Sequence, residues 1–196
     1  VFVGKRPPPA PPRMWRAMFA SFGFWKHFVI SYVINVACAT GINGAIMWGK
    51  TSVPFHTSNF QQDMSGGLLI APLLCGLLTT LCQTPFVKYG TRKGRYQPPS
   101  EAEVQGSWLR FVLVSNVWVR ALVVALGLTV LFGVLVAALV VAVGSRRVSV
   151  PVALVIIDLY AFPVQFLVVV VNYPAATYAA ARASGESAGL ALSAAA

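Results

Sequence analysis

Residues 150–173 read VPVALVIIDLYAFPVQFLVVVVNY, an apolar run that contains a single carboxylate, Asp158. A helix rises about 1.5 Å per residue, so this run is long enough to cross the roughly 30 Å of hydrocarbon in a bilayer. In hydrocarbon a leucine would be favoured over an aspartate by several kcal/mol, so the carboxylate must face protein or water. The run therefore predicts a membrane-spanning helix that carries an inward-facing polar group.

The composition of the whole chain agrees with a membrane protein. The chain has 196 residues, 57% of them apolar and only 10% charged, and its mean hydropathy is +0.72. A soluble domain is closer to one quarter charged, so that class is excluded. The net charge of +10 does not indicate nucleic acid here, because most basic residues flank apolar segments. In that position they set topology and contact the anionic head groups of a lipid bilayer, which is the predicted partner.

Three further apolar runs have the length of a membrane span, and the sequence predicts an all-α membrane protein with four transmembrane helices. The predicted spans are 28–48, 66–87, 118–143 and 150–173. Helices are expected because unpaired backbone groups are too costly in lipid.

The distribution of Lys and Arg predicts the orientation of these spans. Three of the fifteen basic residues (Lys50, Arg146 and Arg147) lie on one side, and the other twelve lie on the side of the two termini. The positive-inside rule therefore puts both termini on the cytoplasmic, matrix or stromal side. The predicted location is a bacterial cytoplasmic membrane or an organellar inner membrane.

The segments outside the spans divide into four regions. Residues 1–13 predict a Pro-rich basic arm, and 179–196 a flexible tail. Residues 14–27 predict an interfacial amphipathic helix; the alternative is a simple extension of the first span. The basic loop 89–117 contains a capping box, Ser100 and Glu103, so a short helix should start near Glu101. That helix would direct Val104, Trp108 and Phe111 toward the membrane surface.

Two short matches suggest an internal repeat. QTPFVKY (83–89) and NYPAATY (172–178) share an amide, a proline and a tyrosine at equal spacing, and Trp25 and Trp118 begin similar segments. The matches predict two tandem in–out–in hairpins, 28–88 and 118–178, related by rotation about the membrane normal. The alternative is that each proline only ends a helix and each tyrosine only anchors it.

The predicted functional residues form a polar stripe on the fourth span. Asp158, Gln165 and Asn172 are seven residues apart, so each is rotated by only about 20° from the previous one. Their expected neighbours are Asn43 and Thr40 for Asp158, Gln83 and Arg120 for Asn172, and a snorkelling Arg146 or Arg147 for Asp158. Either Asp158 is protonated and fixes helix register, or the stripe moves a proton, a cation or a polar solute.

Small residues at four-residue spacing predict two close-packing ridges. The first span carries Ala37, Gly41 and Ala45, and the third carries Ala121, Ala125, Thr129, Gly133 and Ala137. Such ridges let helices approach closely, either within one bundle or between subunits.

The sequence contains no motif that names a reaction. It has no CxxC, no Cys/His pair and no Gly-rich phosphate loop, and no Ser/His/Asp set is evident. Cys38, Cys75 and Cys82 are therefore interpreted as packing residues, and His27 and His56 as surface residues. No metal is predicted and no cofactor is specified. The leading interpretation is transport or permeation of an ion or small polar solute by an oligomer. The alternatives are a non-catalytic subunit of a larger membrane complex and, third, a membrane enzyme acting on lipid.

Overall fold

The structure, a computed structural model, describes residues 14–57 and 63–194, with side chains to residue 185. The elements in chain order are α1 (Met14–Ala20), α2 (Phe22–Ile46), β1 (Ser52–Pro54), α3 (Met64–Arg92), α4 (Glu101–Gln105), α5 (Arg110–Val114), α6 (Val117–Val143), β2 (Arg147–Ser149) and α7 (Val150–Ala194). Helices α2, α3, α6 and α7 are each long and apolar enough to cross a membrane, and they coincide with the four apolar runs of the sequence. The predicted arm 1–13 lies outside the described residues.

The four long helices pack in the order α2, α7, α3, α6. Helix α3 runs against both α6 and α7, and α7 also runs against α2. By contrast, α2 and α3 touch only marginally, as do α6 and α7. The two helices of each hairpin, α2 with α3 and α6 with α7, are therefore not the ones that pack together.

Small residues bring α3 and α6 together. A Cβ placed on Gly76 of α3 would lie 2.6 Å from the Cα of Ala125 on α6, so the two backbones are in direct contact. Ala121 and Ala125 are fully buried there. The predicted ridge on α6 thus packs at this end, whereas its last member, Ala137, is exposed. The α2 ridge of Ala37, Gly41 and Ala45 is exposed along its whole length.

Aromatic rings make the contact between α2 and α7. Phe28 meets both Phe162 and Phe166 edge-on at 5.5 Å between ring centroids, and Tyr32 meets Phe162 at 5.3 Å. Edge-to-face pairs at this separation are favourable beyond the area they bury. They hold α2 on α7 while α2 stays away from α3.

One end of the bundle, here called the strand end, is closed by an antiparallel pair of short strands. In this pair Ser52 lies opposite Ser149 and Val53 opposite Val148. Arg147 donates two hydrogen bonds to Ser52, through its Nε to Oγ (2.9 Å) and through Nη2 to the carbonyl (3.1 Å). The two loops that follow α2 and α6 are thereby joined.

The opposite end, the loop end, carries residues 93–116. The predicted capping box is confirmed: Ser100 Oγ accepts from Glu103 N, and Ser100 N donates to Glu103 Oε2 at 2.9 Å. Val104 is fully buried against Leu113 and Tyr178, whereas Trp108 is 85% exposed. The short helix therefore packs on the bundle through Val104.

Two segments differ from the sequence-based division. A separate α1 ends at Ala20 and α2 begins at Phe22 with Ser21 as its N-cap, so residues 22–27 belong to the first long helix. Whether α1 lies in a membrane interface stays a prediction. The predicted flexible tail, 179–196, is helical as far as Ala194. Alanine, which dominates that segment, has the highest helix propensity, and composition alone did not separate a helical from a flexible tail.

Candidate functional site

The polar residues of α7 form three tiers between the strand end and the loop end. Seven residues of helix rise about 10 Å, so Asp158, Gln165 and Asn172 lie at three different depths. Gln165 and Asn172 are fully buried, and Asp158 is partly exposed. We call these three side chains, with those that hydrogen-bond to them, the polar lane.

The first tier joins α7 to α2. Thr40 Oγ1 donates to Asp158 Oδ1 at 2.8 Å. Asn43, the other expected neighbour on α2, turns back and donates to the carbonyl of Ala39 at 2.7 Å. Neither arginine at the strand end is bonded to the carboxylate: Arg147 donates to Ser52 and Arg146 is exposed, so the predicted snorkelling contact is not formed.

The second tier joins α7 to α3, and the sequence analysis did not predict its partners. Gln165 Oε1 accepts from Cys75 Sγ at 3.1 Å and from Thr79 Oγ1 at 3.2 Å. Asn35 of α2 reaches Cys75 Sγ at 3.5 Å. Cys75 and Thr79 are one helical turn apart, so both can face Gln165. This four-residue spacing is the sequence feature from which the pair could have been predicted.

The third tier joins α7 to α3 and α6. Asn172 Oδ1 accepts from Arg120 Nε at 3.1 Å and also lies 3.1 Å from Thr84 Oγ1, whose one proton is shared with the carbonyl of Thr80 at 2.6 Å. Arg120 is 1% exposed and also donates to Thr84 Oγ1 and to the carbonyl of Ser115, both at 3.3 Å. Arg120 is thus brought to Asn172, whereas Gln83 is not bonded to it; Thr84, the next residue, takes that place.

Several buried polar atoms at these tiers have no hydrogen-bond partner among the described residues. They are Thr80 Oγ1, Tyr160 OH, Gln165 Nε2 and Asn172 Nδ2; His27 Nε2 and Gln83 Oε1 also lack a partner with good geometry, but these two side chains lie next to each other. Leaving such a group unpaired costs about 1–3 kcal/mol, and buried polar atoms in native proteins are normally paired with protein or water. The polar lane is therefore a place that water or a polar ligand would stabilise.

The gap between α2 and α3 gives this region an open end and a closed end. At the strand end a cleft of about 480 Å³ lies between the two helices, lined by Asn43, Lys50, Asp63 and Ile157 among others. At the loop end the ring of Tyr96 fills the gap. A Cβ on Gly23 would lie 2.9 Å from Tyr96 Cδ1, and one on Gly90 would overlap the ring. Any larger residue at position 23 or 90 would clash with the Tyr96 ring, so the ring fits only between two glycines.

The two histidines are not simple surface residues, contrary to the sequence-based interpretation. His27 is half-buried, with its ring centroid 6.0 Å from that of Tyr173 and 6.4 Å from that of Tyr96. His56 Nδ1 lies 3.0 Å from Ser65 Oγ and 3.5 Å from the carboxylate of Asp63. Neither contact could be predicted from the sequence, because the partners are brought together only by the packing of the folded chain.

The Ser65–His56–Asp63 group has the residue types of a hydrolase triad but a different geometry. Serine and aspartate both contact the same ring nitrogen, and Ser65 Oγ donates directly to Asp63 Oδ1 at 2.9 Å. In a triad the two contact opposite nitrogens of the ring. Asp63 also accepts from Gly66 N at 2.8 Å, which makes it the N-cap of α3. The group therefore anchors the start of a helix.

The described residues contain no cluster of three or more His, Cys, Asp or Glu side chains able to hold a metal ion. Cys38, Cys75 and Cys82 are free thiols, and only Cys75 takes part in the polar lane. The candidate site is thus a line of amides and hydroxyls with one acid at one end and one arginine at the other. The chain matches no protein family, no curated protein and no solved structure.

Proposed function

We propose that this protein moves a small polar solute or ion across a membrane along the polar lane. The observation that carries the proposal is the α2–α3 gap, open at the strand end and closed by Tyr96 at the loop end. Between these ends lie partly unpaired amides and hydroxyls on α3 and α7. A transporter in one of its two states has a polar pathway that is closed at one end. Polar groups without hydrogen-bond partners along such a pathway can bind the solute.

We propose that the loop end faces the cytoplasm, matrix or stroma. The basic side chains support this orientation, because Lys88, Arg92, Lys93, Arg95 and Arg110 all lie near that end. The cleft lined by Lys50 would then open on the opposite side.

We also propose that the chain is a tandem repeat of two hairpins, with α2 equivalent to α6 and α3 to α7. The helix contacts support it: exchanging the hairpins converts the α2–α7 contact into the α6–α3 contact and leaves α3–α7 unchanged. The strand end gives further support, because the sequence SVP occurs at 52–54 and at 149–151. The two serines of these motifs lie directly opposite each other.

The third tier repeats in the same way. The aligned tryptophans make His27 equivalent to Arg120, and the aligned prolines make Tyr173 equivalent to Thr84. His27 lies on Tyr173 of the other hairpin, and Arg120 is hydrogen-bonded to Thr84 of the other hairpin. In the α6–α7 gap, however, Phe132 meets Tyr160 edge-on at 5.3 Å. These two rings occupy part of the α6–α7 gap, whereas the α2–α3 gap is open at the strand end.

A second candidate function is that of an accessory subunit in a larger membrane complex. The exposed ridge of Ala37, Gly41 and Ala45 on α2 favours it, because small residues at this spacing suit contact with another transmembrane helix. The same ridge would serve an oligomer of this chain. Purification from native membrane separates the two: a subunit is recovered with other polypeptides, a transporter oligomer with copies of itself.

The transport proposal is tested by removing the closing ring. Tyr96→Ala should open the loop end, whereas Tyr89→Ala should not, because Tyr89 is exposed on the outside of α3. The reporter inside the gap is a single cysteine that replaces Gln83. The three native cysteines are replaced by serine or alanine. A membrane-impermeant maleimide added from the loop side should label it faster in the Tyr96→Ala background only.

The same pair of variants should be compared in reconstituted vesicles. Tyr96→Ala should raise the leak of protons, potassium or chloride above that of the wild type, and Tyr89→Ala should leave it unchanged. Equal labelling and equal leak in both variants would remove Tyr96 as the closing element and, with it, the transport proposal.

A further inference from the structure

Arg120 is a buried positive charge with no negative partner. Its side chain is 1% exposed and its three hydrogen bonds go to neutral groups: an amide oxygen, a hydroxyl and a backbone carbonyl. No carboxylate is among the hydrogen-bond partners of Arg120 in the described part of the chain. An isolated buried charge is strongly unfavourable, so buried charges in proteins are normally paired.

The groups around Arg120 offer donors rather than acceptors. The single amide oxygen of Asn172 is shared by Arg120 and Thr84, and Asn172 Nδ2 is left with two unpaired N–H groups. Thr80 Oγ1, one turn along α3 from Thr84, is fully buried and also unpaired. A guanidinium beside free amide and hydroxyl donors is complementary to an anion.

This end of α7 is also reached from outside. A cavity of about 550 Å³ lies between α1, residues 94–99 and α7, and its walls include Tyr173 and Thr177, which are within two turns of Asn172. Arg95 and Glu103 both line this cavity, so its walls carry one charge of each sign, and Arg120 and Asn172 lie behind Tyr173 rather than on its wall.

We propose that Arg120, Asn172 and Thr80 form a binding site for a small monovalent anion, and that such an anion is the class of solute carried. One anion neutralises the one unpaired guanidinium and takes up the spare donors of Asn172 and Thr80. The second part of the inference, that the bound anion is the cargo, rests on the proposed transport function; the binding site does not.

Burial of Arg120 decides between a dissolved anion and a lipid head group. A lipid phosphate would need the guanidinium to reach the outer surface of the bundle, whereas the side chain is enclosed by α3, α5, α6 and α7. The inference therefore assigns the site to a soluble anion, and an anionic lipid is the alternative that the test distinguishes.

The test is the thermal unfolding of the purified full chain in a neutral detergent, with chloride or nitrate replacing gluconate at constant ionic strength. Gluconate is much larger than chloride or nitrate and serves as the anion that does not bind the site. A ligand that binds only the folded state raises Tm in a saturable way. The expected result is a saturable rise in chloride and nitrate. No rise, or a rise only with added phosphatidylglycerol, would overturn the site.

Asn172→Asp supplies the missing negative charge beside Arg120 Nε. In gluconate this variant should melt at least as high as the wild type, and its response to chloride should be lost. The matched control is Arg147→Gln, which removes an exposed arginine bonded to Ser52 and should keep the full response. An Asn172→Asp variant that still responds like the wild type would refute the inference.

The vesicle assay then separates this inference from the transport proposal. A chloride-dependent Tm without chloride flux would keep the anion site and remove its role in transport. Flux of another solute without any anion effect on Tm would keep transport and remove the anion site.

Discussion

Replacing Gly76 with alanine tests the contact between α3 and α6 directly. The added methyl group would lie 2.6 Å from the Cα of Ala125 and 3.0 Å from its Cβ. Carbon atoms are normally separated by about 3.5–4.0 Å, so the two helices must move apart by roughly 1 Å at this point. Overpacking of this kind costs about 1–3 kcal/mol.

The matched control is Gly41→Ala on α2. No atom lies within 4 Å of a Cβ at Gly41. Both substitutions replace a helical glycine, so the gain in helix propensity is common to both and cancels in the comparison. The difference in unfolding free energy between the two variants should therefore be about 1–3 kcal/mol, with Gly76→Ala the less stable.

Unfolding by SDS in mixed micelles, followed by circular dichroism or tryptophan fluorescence, measures this difference. Adding Ala125→Gly to Gly76→Ala should not restore the loss, since the contacts to the Cα and N of residue 125 remain and glycine is a poorer helix former than alanine. If Gly76→Ala and Gly41→Ala prove equally stable, α3 and α6 are not in backbone contact and the helix order given above is wrong.

Three further predictions concern the polar groups and the orientation. Asp158→Asn should insert and fold normally, because the amide oxygen still accepts from Thr40, and it should abolish any proton- or cation-coupled flux. Asp158→Leu should lower the free energy of unfolding by about 1–3 kcal/mol, because the Thr40 hydroxyl loses its acceptor. Burial raises the pKa of the Asp63 carboxyl, but the hydrogen bonds that it accepts outweigh this and hold the pKa below the usual value for an aspartate. Its contribution to stability is therefore fully present above the pKa of an unfolded aspartate and is lost as the pH falls through the folded-state pKa. Asp63→Ala should remove this loss of stability at acid pH and cost about 0.5–2 kcal/mol at neutral pH, as measured by denaturation across pH. Cysteines at Lys93 and Arg146 should be labelled from opposite faces of the membrane, and labelling of both from one face would mean that the assignment of spans is wrong.

The features that were predicted from sequence depend on local or one-dimensional properties. A span needs about 20 apolar residues, so the four long helices are visible as four apolar runs. The capping box at Ser100 and Glu103 needs only two side chains three residues apart. The spacing of Asp158, Gln165 and Asn172 along one face follows from helix geometry alone.

The features that were missed depend on which helix packs against which. Apolar side chains of similar size do not specify a neighbour, so the order α2, α7, α3, α6 is not encoded in any single span. Thr79 and Cys75 look like ordinary small residues until Gln165 is placed beside them. Tyr96 lies in a loop, and its place between Gly23 and Gly90 depends on two helices distant in sequence.

The interleaved order of the helices has a consequence for how the protein is made. In the proposed membrane topology, α2 and α3 are synthesised and inserted before their partners, α6 and α7, and they have almost no contact with each other. Packing rather than the hydrophobic effect joins helices in lipid. Helices α2 and α3 therefore lack their packing partners until α6 and α7 are inserted. Insertion of the first pair must therefore precede assembly. Substitutions such as Gly76→Ala should then lengthen the lifetime of a half-assembled chain, exposed to quality-control proteases, as well as destabilise the finished bundle.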